Sequence, residues 1–364
     1  MHILDIRARP HHLEPAKQTA RVIHAVKNFA AIQGVCHIGL GVTATNNIKV
    51  LRKAGYYAEA WAVQTARELE ERIEKDEHHI HHFGGIPPSH IIISAPSWVQ
   101  PNDFKRLACR WPEIIFIQLN HSGCAYLSID KYGIRNIREV SELEISLPNI
   151  QVAGNNTRFV TWMKRTIGEC LYLPNLYDIS SFVHPYPIRR HHEHTLRVGS
   201  FGAGRPWKNQ LTAAEGALEL AKTIGTDLEL FVNTQRPDGG ERMIESRREL
   251  FHGYPGAKII EVPWQLWPRF RKTVAHMHLL VQPSFDETFN VVTADGIAEG
   301  VASVTSEAIE WTPNSWWADT CNPSDIARVG IYLLTDPHSV ENGRNALIKY
   351  ARDGLEDWKN YLGR

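Results

Sequence analysis

The sequence predicts an α/β protein of two doubly wound parallel-sheet domains facing each other across a cleft. Three observations carry this expectation. Strand-like and helix-like segments alternate through the chain, which is the pattern of parallel sheets covered by helices. The alternation lapses once, at residues 179–194, ISSFVHPYPIRRHHEH, and then restarts. The length of 364 residues suits two cores rather than one. The expected domains are therefore 1–178, a linker at 179–194, 195–335, and a helical segment at 336–364.

Composition narrows the class. An apolar fraction of 43% with 22% charged residues is that of an ordinary globular chain. Lys+Arg and Asp+Glu both number 40, so no global basic field exists to capture nucleic acid or an anionic membrane. No run of 18 apolar residues suggests a transmembrane segment, and the opening MHILDIRARPHHLEP lacks the apolar centre of a signal peptide. The five cysteines are scattered without a C-x-x-C pair, which predicts reduced thiols and a cytoplasmic location.

Residues 14–33 place Ala20, Ile23, Val26 and Ala30 at helical intervals and predict an N-terminal helix. VCHIGLG (35–41) predicts a strand ending at Gly39-x-Gly41, followed by a helix closing on Gly55 and a strand at 57–63. Gly41 is the point at which a phosphate could approach the backbone; a tight turn without ligand is the alternative. A polar helix (65–77), strand (90–94), helix (103–111) and strand (114–119) follow. That last strand delivers NHSG, placing His121 at a carboxyl strand end, where ligands of open α/β sheets collect. Helix 134–145, strand 150–154, helix 156–168 with Asn155 as its cap, and strand 170–174 complete the half.

The linker's His191, His192 and His194, and the HHIHH run at 78–82, lack a spaced carboxylate or thiolate partner set, so no metal site is predicted. In the second half, strand 196–202 runs into GAGRPWKN and an Ala-rich helix ending at Gly225. Gly204, Arg205 and Lys208 thus share a strand-to-helix turn, a combination of backbone donors and cations that suits a pyrophosphate. Its spacing does not fit the G-x-x-x-x-G-K-[ST] loop of ATP-binding proteins. Strands at 227–233 and 257–262 and helix 266–275 follow; Trp264 and Trp267 suit either stacking on a base or sugar, or packing.

The stretch 282–305, QPSFDETFNVVTADGIAEGVASVT, joins a strand end, an acidic turn, a helix and a second strand. Donors around Thr288–Val291 lie at the helix N-terminus, flanked by Glu287 and, about two turns on, Asp295. A phosphate site between two carboxylates that can grip hydroxyls is what a sugar nucleotide requires.

These residues resemble glycosyltransferase family 4, whose motif P-S-x-x-E-x-F-x-x-x-x-x-E-A-x-A-x-G is matched by Pro283, Ser284, Glu287, Phe289, Asp295, Gly296, Ala298 and Gly300. Asp295 stands where the family has a second glutamate, and Asn290 where it commonly has glycine. The resemblance covers most of 195–335; His121, Gly39-x-Gly41 and Leu173-Pro174-Asn175 extend it into the first half. It implies a GT-B fold of two Rossmann-like domains and a retaining, metal-independent glycosyltransferase that needs no cofactor beyond its UDP- or GDP-sugar donor. His121 and Glu287 would meet the donor sugar, Arg205 and Lys208 the leaving diphosphate, and Asp295 the ribose. Gly41, Gly204, Ser284, Thr288, Phe289 and Asn290 would complete the donor site. The acceptor would be a glycan, a lipid or a hydroxylated DNA base.

The FNVVTADGI run also resembles stand-alone bacteriophage and bacterial glycosyltransferases, some of which modify DNA, for example at 5-hydroxymethylcytosine. Arg158, Lys164, Arg165, Arg189 and Arg190 would then supply a basic strip, against the zero net charge. A GT-B-shaped binding protein without catalysis is a further alternative, motivated by the Asp295 and Asn290 departures. An NAD-dependent dehydrogenase lacks the full glycine fingerprint and the acidic residue after the second strand.

Overall fold

The computed structural model describes residues 20–27, 39–78, 86–94, 98–128, 130–182 and 194–363. The first sheet contains β1 (Arg21–Lys27), β2 (Tyr57–Val63), β3 (His90–Ser94), β4 (Ile115–Asn120), β5 (Ile150–Gly154) and β6 (Leu171–Tyr172). All are parallel, in the order β2-β1-β3-β4-β5-β6. Its helices are α1 (Gly39–Lys53), α2 (Ala66–His78), α3 (Pro101–Arg110), α4 (Cys124–Leu127), α5 (Gly133–Ser146) and α6 (Thr157–Thr166).

The second sheet contains β7 (Thr195–Ser200), β8 (Asp227–Val232), β9 (Ala257–Glu261), β10 (Leu279–Val281) and β11 (Ser303–Val304). These are also parallel, in the order β11-β10-β7-β8-β9. Around it lie α7 (Gln210–Ile224), α8 (Glu241–Phe251), α9 (Trp267–Ala275), α10 (Val291–Ala298), α11 (Pro323–Thr335) and α12 (Ser339–Leu362). Each sheet reverses direction once, between β1 and β3 and between β7 and β10. Such switch points open a crevice at the carboxyl strand ends.

Both sheets are covered on both faces, so adjacent residues on one strand feed opposite cores. Ile23 and Ala25 join the cluster with Ile91, Ile93 and Phe116, while Val22 joins Ile92, Ile117 and Trp358 on the other side. This corrects the N-terminal helix expected at 14–33: residues 21–27 are a central strand, and 14–19 and 28–33 lie outside the described residues. Helical spacing at Ala20, Ile23 and Val26 was a by-product of a continuous apolar run, as strands buried on both faces carry. Arg21 opens that strand fully buried, its guanidinium donating to Glu59 (2.8 Å) and Asp76 (2.6 Å).

The expected strand at 35–41 is corrected likewise. Gly39 to Gly41 form the first turn of α1, and 35–38 lie outside the described residues. Asn156, not Asn155, caps α6, accepting from the N–H groups of Arg158 and Phe159. The linker is described only at its edges, through a short 3-10 turn at Ile179–Ser181 and again from His194; His191, His192 and residues 79–82 lie outside the described residues.

The last helix does what its position in the chain does not announce. α12 leaves the second domain and returns to the first, where Trp358 is fully buried and donates Nε1–H to the Pro174 carbonyl (2.9 Å). Tyr361 hydrogen-bonds Gln151 and packs its ring edge-on to His90. The chain thus crosses the domain boundary twice. Among the described residues, no helix is long and apolar enough to cross a membrane.

Candidate active site

The loops after β7 and β10 are stapled together. Gly202 takes φ +119°, a conformation other residues rarely adopt, and donates its N–H to Asn233 Oδ1 (3.1 Å). Asn209, left-handed at φ 56°, donates from Nδ2 to the carbonyls of Pro283 (3.0 Å) and Thr320 (2.7 Å). Phe285 N–H donates to the Trp207 carbonyl (2.8 Å). These bonds bring Lys208 into an ion pair with Glu287, with 18% and 8% of their side chains exposed. So little exposure makes the pair a strong local dipole, and costly to leave half-made. Ser284 Oγ (3.3 Å) and Asn290 Nδ2 (2.9 Å) also donate to Glu287 Oε1.

At Asn290 the backbone is left-handed, φ 59°. Asn is among the side-chain-bearing residues that tolerate this conformation best. Its Oδ1 accepts from Thr293 N–H (2.9 Å), so it also caps α10. Phe289 is buried, its ring stacked on Tyr350 and packed near Trp311, so what it presents to a ligand is main chain.

Arg205 and Arg236 both donate to Asp238 Oδ2, at 3.1 and 2.9 Å. Arg205 also lies over the Tyr126 ring (5.0 Å), a contact that spans the domains. Asp295 is buried under the cleft floor. Its Oδ1 accepts from Tyr177 O–H (2.7 Å), and Trp267 Nε1–H lies 3.1 and 3.0 Å from Oδ1 and Oδ2. Burial pushes its carboxyl up to about 7, against the pull of those donors. Trp267 is therefore a hydrogen-bonding neighbour of the carboxylate. Trp264, by contrast, lines the cleft beside Gln265, with Arg236 over its ring at 5.3 Å.

The first domain contributes His121, just past the end of β4. Asn155 Nδ2 donates to His121 Nδ1 (3.2 Å), leaving the ring proton on Nε2. Nε2 is shut from solvent without a partner, and burial lowers the ring's pKa to about 4, so it is a neutral donor at neutral pH. Thr288 Oγ1 donates to the His121 carbonyl (3.3 Å), and Asn156 Nδ2 to the Glu287 carbonyl (3.3 Å). Asp286 accepts from Ala125 N–H at the start of α4 (2.8 Å). A Cβ on Gly123 would fall 2.2 Å from that carboxylate, so the approach requires glycine.

The resulting cleft, about 320 Å³, is lined from both domains and brings together His121, Arg205, Lys208, Glu287, Thr288, Asn290 and Asp295. Gly39 and Gly202 are at its wall, whereas Gly41 faces open space, Gly204 packs on Ile244 and Pro237, and Ser284 is fully buried behind Glu287. Asp286, Asn155, Asn156, Tyr177 and Tyr126 are site residues that the sequence reading did not single out for these roles. Asp286 adjoins Glu287, and Asn155 and Tyr177 follow strand ends, which is the only local signal they carry. Among the described residues, no group of three or more His, Cys, Asp or Glu is placed to hold a metal ion.

No protein-family model matches the sequence, and no curated protein does. Solved structures do match in fold. Sucrose-phosphate synthase from Thermosynechococcus elongatus is similar at TM-score 0.63 and 14% identity, over 94% of this chain and 98% of that one. The catalytic domain of starch synthase IV from Arabidopsis thaliana, bound to ADP and acarbose, gives 0.64 at 10% identity, over 95% and 100%. An Anabaena protein in complex with UDP and glucose gives 0.61 at 12% identity, over 93% and 100%. With its two facing Rossmann-like domains, the chain has the GT-B fold.

Proposed function

We propose that this protein transfers a glycosyl group from a nucleoside-diphosphate sugar to an acceptor hydroxyl, with retention of configuration and without a bound metal. The observation that carries the reading is the Lys208–Glu287 pair, held at the switch point between β7 and β10. A donor diphosphate arriving there would draw Lys208 to its oxygens and release Glu287 to grip the sugar hydroxyls. Arg205 and the N-terminus of α10 would add positive charge where the leaving group develops its own. The cleft would hold a UDP or GDP base beside Trp264 and Gln265, and His121 would approach the donor sugar from the first domain.

In the reaction the bond between the anomeric carbon and the phosphate oxygen breaks, and its electron pair leaves with the nucleoside diphosphate. A new bond forms from the acceptor oxygen to the anomeric carbon on the same face. The acceptor proton passes to an oxygen of the departing phosphate. The fold relatives bound to UDP and glucose, or to ADP and acarbose, support such a donor. Asp295 is already engaged by Tyr177 and Trp267, so a ribose would share a carboxylate with protein donors rather than claim it alone.

The test is release of nucleoside diphosphate from a panel of sugar nucleotides, with chelator present. We expect turnover with at least one donor, and a loss of about 10²–10³-fold in kcat for Lys208→Ala and Glu287→Ala. Unchanged transfer by both variants would overturn the assignment.

A further inference from the structure

The charges in the cleft are sharply divided. Among the described residues, its lysine and arginine side chains, Arg205, Lys208 and Arg236, all come from the second domain, where the donor diphosphate would lie. The first-domain wall presents amides and hydroxyls from Asn120, Asn136, Asn175, Ser122 and Thr43, the neutral His121 ring, and apolar faces of Leu40, Tyr126 and Ile137. Among the described residues its one formally charged member is acidic, Asp130, whose Oδ1 accepts from Tyr132 N–H (3.2 Å). Asp286 adds a second carboxylate at the same boundary, lodged against Ala125 N–H.

Among the described residues, two first-domain lysines near the cleft lie over aromatic rings. Lys131 is exposed and lies over the Tyr132 ring (5.2 Å), and Lys49 lies over Trp267 (5.4 Å). Arg158, a member of the basic strip, pairs with Glu310 (2.8 Å) and donates to the Glu307 carbonyl (2.8 Å); Arg189 and Arg190 lie outside the described residues.

From this division we infer that the acceptor is an uncharged polyhydroxyl compound, a neutral sugar or glycoside, rather than a sugar phosphate or nucleic acid; the inference rests on the transferase reading above. A phosphate brought to this wall would meet no cation among the described residues lining it and would face Asp130 and Asp286 in a partly desolvated cleft, where like charges repel strongly. Duplex DNA requires several phosphate contacts from lysine or arginine, which the described residues of this wall do not supply. Amides and hydroxyls between apolar patches suit a sugar instead, hydrogen-bonding its hydroxyls and covering its C–H faces. The new glycosidic bond would form at one of those hydroxyls, its proton leaving with the donor phosphate as before.

The experiment has two arms. Calorimetric binding of nucleoside diphosphates to the full chain tests the transferase reading alone; absence of any binding would sink that reading, whatever the acceptor. The second arm measures how matched acceptors, a neutral hexose or methyl glycoside, its 6-phosphate, and hydroxymethylated duplex DNA, accelerate nucleoside-diphosphate release from the donor that binds. We expect the neutral compound to exceed its phosphate at least tenfold in kcat/KM, and Asp130→Lys to narrow that ratio. The inference is overturned if the phosphate matches or exceeds the neutral compound, if the DNA is glycosylated, or if no neutral acceptor accelerates release from a bound donor.

Discussion

Asp295→Asn should alter the pH dependence of stability in a direction and by an amount that can be worked out. The Asp295 carboxyl is buried and raised from 3.8 to about 7, desolvation outweighing the donors Tyr177 and Trp267. A carboxyl raised in the folded state favours folding fully below its unfolded value. That advantage is lost as pH rises through the window to about 7, because the unfolded chain gives up a proton that the folded one retains. At about 1.4 kcal/mol per unit, the whole window is worth about 4 kcal/mol, of which roughly 2 to 3 falls between pH 5 and pH 8. With an unfolding entropy of about 2.1 cal/mol/K per residue and 364 residues, that is about 3 °C of melting midpoint. Asparagine does not titrate, and its single oxygen must serve both donors, which costs it about 1 kcal/mol at every pH. The midpoint of the variant minus that of the wild type should therefore rise by about 3 °C from pH 5 to pH 8, by calorimetry at matched ionic strength. Other titrating groups are common to both proteins and cancel. A difference that stays constant, or falls, would refute the claim that burial controls this carboxyl.

Three further outcomes follow from particular contacts. Gly123→Ala would place a Cβ 2.2 Å from the Asp286 carboxylate, prising it from Ala125. Donor turnover should fall about tenfold with the melting midpoint nearly unchanged, because reacting groups from two domains lose their alignment. Trp358→Ala removes a fully buried ring and its bond to Pro174, and should cost about 3–5 kcal/mol in denaturant unfolding. Because the His121 ring titrates near 4, the pH–rate profile should show no limb near pH 6.5, where an ordinary histidine would titrate; a His121→Asn enzyme should be slower without a change in that profile's shape.

The alternation of strands and helices was legible because it is a local pattern, repeated with the period of the element that carries it. Most elements from 57 onward lie within a few residues of their expected bounds. Where the reading failed, local pattern was ambiguous for a physical reason. RVIHAVK is apolar on both faces because β1 is central to its sheet, and such a run carries no strand period. Gly39-x-Gly41 opens a helix, since glycine accepts many backbone conformations and marks none uniquely.

What the sequence determined by itself is the chemistry available: a basic strand-to-helix turn, two carboxylates eight residues apart, a histidine at a strand end, and the identity of Asn290. What only the tertiary structure decided is which of these groups meet. Lys208 and Glu287 are 79 residues apart, Tyr177 and Asp295 are 118, and Ala125 and Asp286 are 161. Such pairings depend on how two sheets reverse at their switch points and how α12 ties one domain back to the other. They are long-range contacts, and no period or motif in a single stretch encodes them.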